Sequence, residues 1–242
     1  MILYGKPVAD ALREKYAEWI EAMAWKRTLA VIKDDTSDKG YLAAIQREAA
    51  RWKVKLMYAD SLVQAAKMGA FRVMDVRKLP ATDMCGFYGM DGQSSIGREK
   101  AYIGEMSAEA PCTAEAIIRM LDYYNIPIAG KHAVVIGRSE RVGKPTAMLL
   151  LARDATVTVC HSKTDKGNLL GLVGGADIVV CASGQKGLID WTCVPHGCTV
   201  INVGGDYISD GYDEYDAGLN LIPFKGGVGP VTTAVLMSHV LM

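Results

Sequence analysis

Residues 133–145 read A-V-V-I-G-R-S-E-R-V-G-K-P. A short apolar run, Ala133 to Ile136, predicts a buried strand, and Gly143 to Arg153 predicts a helix. The loop between them opens on Gly137, which allows a tight turn. It closes on Gly143, which allows close packing of helix on strand. Free backbone N–H groups at the start of such a helix, aided by its dipole, are suited to a pyrophosphate. The spacing is not G-x-G-x-x-G, so an ordinary glycine-punctuated βα turn is the competing reading. The next predicted strand, Thr156 to Cys160, weighs on the choice. It runs into Cys160-His161-Ser162-Lys163, where an NAD site usually carries an acid for the ribose hydroxyls. An acid-free strand end, with Arg138 in the loop before it, suits a 2′-phosphate and hence NADP. Arg138 and Lys163 as plain solvated charges, and His161 as a structural residue, are the bland alternatives.

The same rhythm extends outward. Leu169 to Val173 predicts a short helix, and Ile178 to Cys181 and Thr199 to Val203 predict strands. Short strands alternating with helices imply parallel βαβ units and an α/β fold. Asp206 to Asp216 is acidic and predicts a solvated loop. The chain closes on a glycine-rich turn and a helix from about Val231. Upstream, Val8, Leu12, Tyr16, Trp19, Ile20 and Met23 recur at helical steps, with Pro7 in a tolerated first-turn position. Strands follow at Leu29 to Ile32, Val54 to Tyr58 and Phe71 to Val76. Between them lie a helix carrying Leu42, Ile45, Ala49 and Trp52 on one face and a short helix from Ser61 to Met68. Residues 77 to 112 are broken by glycines and read mostly as loop. A helix from about Thr113 leads to a turn-rich connector, Asn125 to Lys131, the candidate domain boundary.

The chain has 242 residues, 27 Lys plus Arg against 27 Asp plus Glu, and 50% hydrophobic residues. This balance describes an ordinary globular protein and argues against a nucleic-acid or membrane-surface binder. No apolar stretch approaches the length of a membrane span, and the opening M-I-L-Y-G-K-P lacks a signal-peptide pattern. The six cysteines are scattered without a C-x-x-C pair and read as reduced thiols in a cytoplasmic protein. No metal site is read.

Four segments, G-R-S-E-R-V-G-K-P (137–145), C-H-S-K-T (160–164), A-D-I-V-V-C-A-S-G (176–184) and K-G-G-V-G-P-V-T-T-A (225–234), closely resemble the bifunctional methylenetetrahydrofolate dehydrogenase/cyclohydrolase family. I-L-Y-G-K-P-V-A (2–9), D-M-C-G-F (83–87) and A-P-C-T-A (110–114) extend the resemblance over essentially the whole chain. It implies two α/β domains with a cleft between them, the second a Rossmann-type parallel sheet, assembled as a homodimer. Residues 1–124, with a C-terminal helix 228–242 packing back on them, would form the folate-binding and catalytic domain. Residues 125–227 would form the NADP-binding domain. By the same resemblance Gly137, Arg138, Ser139, Val142 and Gly143 cradle NADP, with Ser162 near its 2′-phosphate and Gly205 beside the nicotinamide. Lys225, Gly226, Gly227, Val228 and Gly229 line the folate side. Glycine pairs let a backbone approach a flat ligand closely, which fits a pterin slot.

The chain departs from the family where the substrate sits. Tyr41 stands at the family's catalytic Tyr, but the Lys four residues later is Ile45. The second Asp of Asp-Val-Asp-Gly is Cys85, and a thiol cannot supply the paired charge-assisted bonds of a carboxylate. The family's Gln aligns with Met74. Hydrolysis of a methenyl bridge is general acid–base work, whereas in hydride transfer the protein mainly positions two rings. The expectation is therefore an NADP-dependent methylenetetrahydrofolate dehydrogenase whose cyclohydrolase activity is weak or lost. The rivals are a non-catalytic folate- or nucleotide-binding homologue and a dehydrogenase for a different one-carbon pterin carrier.

Overall fold

A computed structural model describes residues 1–35, 37–70, 72–75, 110–208 and 218–241. The first half runs α1 (Gly5–Lys15), α2 (Ala17–Ala22), β1 (Thr28–Ile32), α3 (Lys39–Arg51), β2 (Lys55–Ala59), α4 (Leu62–Lys67), β3 (Arg72–Asp75) and α5 (Cys112–Tyr123). The second runs β4 (His132–Ile136), α6 (Gly143–Leu151), β5 (Thr156–Cys160), α7 (Lys166–Val173), β6 (Ile178–Cys181), β7 (Ile189–Asp190), β8 (Thr199–Asn202), β9 (Tyr207–Ile208), β10 (Asn220–Ile222) and α8 (Val228–Leu241).

The expected α/β architecture is present. Three strands form a parallel sheet in the order β2-β1-β3, and five form a parallel, Rossmann-type sheet in the order β10-β8-β6-β4-β5. Successive residues of a strand face opposite sides of its sheet, so a strand covered on both sides reads as continuously apolar. In β4, Ala133 and Val135 enter one buried cluster while Val134 and Ile136 enter another on the opposite face. The first of these clusters also contains Leu29, Ile45, Trp52, Ile117 and Val235, so the space between the two sheets is one continuous core.

Helix α8 lies at the centre of that core. It packs on α1, α3 and α5, and every residue from Val231 to Leu241 is buried. A helix apolar on all sides has no solvent face and must be covered all round. Its polar residues are reconciled with burial by local bonds: Thr232 Oγ1 donates to the Val228 carbonyl (3.1 Å) and Ser238 Oγ to that of Val235 (2.7 Å). Near its C-terminus His239 Nε2 bonds Glu115 Oε2 of α5 at 2.8 Å, and Arg119 Nε donates to Glu115 Oε1 at 2.7 Å. A second buried carboxylate, Glu48, ties α3 to α1 by accepting from Arg13 and from Trp52 Nε1, each at 3.0 Å.

Three readings of the sequence change. The helical period from Val8 to Met23 belongs to two helices, because Tyr16 (φ −101°, ψ 12°) leaves the helical region between α1 and α2. Asp206 and Tyr207, assigned to a solvated loop, are buried; residues 209–217 lie outside the described residues. Residues 1–3, assigned no element, run alongside β10: Leu3 N donates to the Leu221 carbonyl and Leu221 N to that of Met1, both at 2.8 Å. Most of the predicted loop 77–112 is also outside the described residues. Among the described residues no helix is long and apolar enough to cross a membrane.

The Glu115 network implies a pH dependence. Burial alone raises the carboxyl's pKa, but hydrogen bonding and charge from His239 and Arg119 outweigh it and hold the group below its ordinary value. Stability from a lowered carboxyl pKa is fully present above the unfolded value of about 4.5 and is lost as pH falls through the folded one. Glu115→Ala is expected to cost about 3–5 kcal/mol at pH 7, because it removes the buried acceptor shared by Arg119 and His239. In denaturant unfolding across pH, the gap between parent and variant should hold at neutral pH and close on acidification below about pH 4.5.

Candidate active site

In an open parallel sheet, ligands bind beyond the carboxyl ends of the strands, where successive connections turn to opposite sides. Here that point lies between β4 and β6. From β4 the chain moves outward to β5, then returns to β6 on the other side. The loops after β4 and β6 meet there at backbone distance. A Cβ on Gly137 (φ +127°) would stand 2.4 Å from the Ala182 carbonyl oxygen, and one on Gly143 would stand 2.2 Å from that of Gly137. Both positions therefore exclude any side chain. Ser139 Oγ accepts from Val142 N (3.2 Å) and Gly143 N (3.4 Å). Two amides read from sequence as free for a phosphate are thus turned onto a hydroxyl.

Arg138 and Ser162 are both exposed. They lie two residues beyond Ile136 and Cys160, which are paired in register across β4 and β5, so they occupy the same edge of the sheet. His161 Nδ1 accepts from Lys163 N (3.1 Å), the structural role for His161 that sequence offered as an alternative.

The second region is a cleft of about 350 Å³ between the two halves of the chain. Tyr41 and Thr113 line it from the first half, with Arg141 and Val142 from the loop after β4. Asn202, Val203, Phe224, Val228, Gly229 and Thr232 complete the described wall. Tyr41 is placed by its helix cap: Asp38 Oδ1 accepts from Tyr41 N at 2.8 Å, fixing it in the first turn of α3. One turn on, Ile45 is 1% exposed and part of the shared core. Met74 on β3 is likewise buried. Cys85 and Asp83 lie outside the described residues.

Past Phe224 a larger lobe of about 830 Å³ is lined by Gly205, Lys225 and Lys186, among others. Gly205 (φ +79°) leaves its missing Cβ 3.9 Å from the Phe224 ring. Gly226 and Gly227 form a turn clasped from outside. Gly5 N donates to the Gly226 carbonyl (2.8 Å), and a Cβ on Gly5 would stand 1.9 Å from the Gly227 oxygen. At the junction of the lobes, Asn202 is 6% exposed. Its Nδ2 donates to the Tyr207 carbonyl (3.0 Å), while Oδ1 finds no partner among the described residues. Beside it Asp206 Oδ2 accepts from Ser183 N (2.6 Å), joining the loops after β6 and β8. The buried thiols nearby are protonated groups: burial pushes Cys198 up to about 12 and raises Cys181 well above its ordinary value.

The structure thus brings Tyr41, Val142, Val228 and Gly229 into one cleft and puts Gly205 and Lys225 in the adjoining lobe. Sequence reading did not single out Thr113, Arg141, Asn202, Phe224 or Thr232. Thr113, Arg141 and Thr232 fall inside motifs already quoted. Asn202 had only its place at the end of β8 as a signal, and Phe224, two residues past β10, had none.

Residues 111–242 match the tetrahydrofolate dehydrogenase/cyclohydrolase, NAD(P)-binding domain. The chain is 34% identical to the bifunctional protein FolD of Nocardia farcinica over 273 residues, covering 99% of this chain and 95% of that one. Among solved structures it is similar to the methylenetetrahydrofolate dehydrogenase-cyclohydrolase of Trypanosoma brucei, complexed with NADP cofactor and inhibitor (26% identity, TM-score 0.81, covering 100% of this chain and 96% of that one). It is equally similar to a 5,10-methylenetetrahydrofolate dehydrogenase of the silkworm Bombyx mori (27% identity, TM-score 0.81, with the same coverage of 100% and 96%).

The clasp on the Gly226–Gly227 turn generates a prediction. Gly5→Ala places a methyl against a carbonyl oxygen and must displace that turn. Denaturant unfolding is expected to show a loss of about 1–3 kcal/mol, the usual cost of overpacking. Gly171→Ala, a helical glycine whose added Cβ meets nothing within 4 Å, serves as the reference without a clash.

Proposed function

The chain belongs to the tetrahydrofolate dehydrogenase/cyclohydrolase family, and on that premise we propose that it oxidises methylenetetrahydrofolate to methenyltetrahydrofolate with NADP, its cyclohydrolase activity being weak or lost. The observation that carries this reading is the convergence on one cleft of Tyr41 from α3, Val142 from the glycine loop, and Val228 and Gly229 from α8. The glycine-walled crevice, the acid-free end of β5, and Arg138 and Ser162 on one edge fit a dinucleotide with a 2′-phosphate. NADP, when bound, supplies the hydride acceptor. The chain's residues hold the two reactants in register. Gly137, Ser139 and Gly143 shape the diphosphate end, and Gly205 admits a flat ring beside Phe224. Gly226, Gly227, Val228, Gly229 and Lys225 form the folate wall. Tyr41 packs its ring on the pterin and directs its hydroxyl toward the one-carbon bridge. In this division of labour residues 1–124 with the C-terminal helix 228–242 hold the folate, and residues 125–227 hold NADP.

Hydride transfer releases no proton from the folate, so it places little demand on side-chain acid–base chemistry. Hydrolysis of the methenyl bridge does place one, and Ile45 supplies no titratable group there. Cys85, in place of the carboxylate that anchors the pterin, supports the second reading, a folate-binding homologue without efficient turnover. The family resemblance further supports a homodimer in the cytoplasm, and light scattering on the purified protein reads the assembly.

The deciding experiment follows reduced-nicotinamide absorbance with purified protein, methylenetetrahydrofolate and either NADP or NAD. Turnover with a lower KM for NADP is expected, and Arg138→Ala should narrow the gap between cofactors. Absence of turnover and of folate binding would sink the dehydrogenase reading.

Methenyl hydrolysis is expected to stay near its uncatalysed rate in the same protein. Ile45→Lys should restore part of it while lowering stability, because the lysine enters a position only 1% exposed. A parent hydrolysis rate matching the dehydrogenase rate would overturn the loss.

A further inference from the structure

The Tyr41 cleft holds one side chain whose charge the proposed reaction has not used. Among the described residues that line it, Arg141 alone is charged. It is half-buried and enters from the loop after β4, whereas Tyr41 enters from α3. Its backbone is set by the turn that encloses it. Val142 N and Gly143 N donate to Ser139 Oγ, and Lys144 N donates to the Ser139 carbonyl (3.1 Å). A guanidinium has five N–H donors and keeps its charge at every physiological pH, so it stays a cation whatever other contacts it makes. It does not stand in for a lysine base, because it does not give up its proton. A cleft of about 350 Å³ is no wider than about one screening length in physiological salt, roughly 8–10 Å, so this charge acts on any group that fills it.

We propose that Arg141 is a specificity residue that tells the two folates of the reaction apart by charge and drives the product out of the cleft. The proposal rests on the dehydrogenase reading and deepens it. In that reaction a C–H bond at the one-carbon bridge breaks, and both of its electrons leave with the hydrogen. The hydride passes to the nicotinamide ring, whose positive charge it cancels. The bridge is left as a cation shared by the two nitrogens beside it. Methylenetetrahydrofolate therefore enters the cleft with a neutral bridge, and methenyltetrahydrofolate leaves it with a positive one. Arg141 repels the second and not the first. Lys186 and Lys225 line the other lobe, past Phe224, so Arg141 is the described cation that shares a cleft with Tyr41. With Ile45 in the core, hydrolysis does not consume the product in place, and the product has to leave intact. A fixed cation beside the bridge hastens that departure.

The test is stopped-flow binding of methylene- and methenyltetrahydrofolate to the full chain without cofactor, each read before it decays. The parent, Arg141→Gln and Arg141→Lys are compared at low and high salt. A unit charge several ångströms away in a half-solvated cleft changes an equilibrium constant by about three- to thirtyfold. Arg141→Gln should tighten methenyl binding by that factor and change methylene binding far less. Arg141→Lys should keep the parent's ratio of affinities. Salt near 1 M, where the screening length is about 3 Å, should move the parent's ratio toward that of Arg141→Gln. With NADP present, slower product release in Arg141→Gln should appear as a burst of reduced nicotinamide before the steady state, which a merely structural role would not produce. Equal changes in both folates, or a lysine variant that behaves like the glutamine one, overturn the proposal and leave the dehydrogenase reading standing. A fall in NADP affinity with an unchanged folate ratio assigns Arg141 to the cofactor and also overturns it. Should Arg141→Gln fail to fold, a parent ratio unmoved by salt does the same. A parent that neither binds nor turns over folate overturns the dehydrogenase reading and this one with it.

Discussion

Everything in this molecule is arranged around the need to cover α8. Its sequence offers no polar face, so no single sheet can shield it. The chain meets the requirement by laying α1, α3 and α5 against it from the first half and drawing the second sheet over the same core. The two halves are therefore joined by apolar packing, and the cleft between them is what remains open above a shared foundation. Helix α8 begins in that cleft, at Val228 and Gly229, and ends in the buried Glu115–His239 pair. One helix thus spans from the cleft wall to a buried hydrogen bond.

This foundation explains why the altered position in α3 is tolerated. Ile45 sits one turn from a cleft residue but faces inward, and in that setting an apolar side chain is the least costly occupant. Asp38 caps the start of α3 at Tyr41 N and Glu48 ties the helix to Arg13 of α1, and neither bond involves the side chain at 45. Under the proposed function, positioning and acid–base chemistry are separate demands on this helix, and the positioning rests on bonds that the side chain at 45 does not make.

Features carried by neighbouring residues were legible in the sequence. The run from β4 through the loop into α6 could be read because strand, glycines and helix follow one another without a gap, and the steric reason for each glycine is local. Of the other strands in the two sheets, β1, β2, β3, β5, β6 and β8 were legible as short apolar-rich runs, whereas the three-residue β10 was not read. The break at Tyr16 was hidden because apolar spacing continues across it, and a period does not report one backbone dihedral. Asp206 was misread because an acidic run resembles a solvated loop, whereas its carboxylate is needed by the Ser183 amide. Asn202, Phe224 and Lys186 meet only when the sheet order is known, and no window of sequence contains that order. Residues 1–3 were left without an element because their partner is β10, more than two hundred positions away.

That last pairing has a consequence for biosynthesis. Leu3 and Gly5 are synthesised more than two hundred residues before Leu221 and Gly226, the residues whose backbone groups they bond. At about 5–20 residues per second the opening segment waits roughly 10–45 s for its partner to be made. Helix α8 is translated later still, so α1, α3 and α5 expose the apolar faces it will cover throughout that interval. The nascent chain cannot complete this core from its first-half segments alone, and the core closes only when residues 1–5 meet residues 221–226 and α8 docks. Slow elongation over the codons for residues 221–241 would lengthen the period in which those faces are open to chaperones or to aggregation.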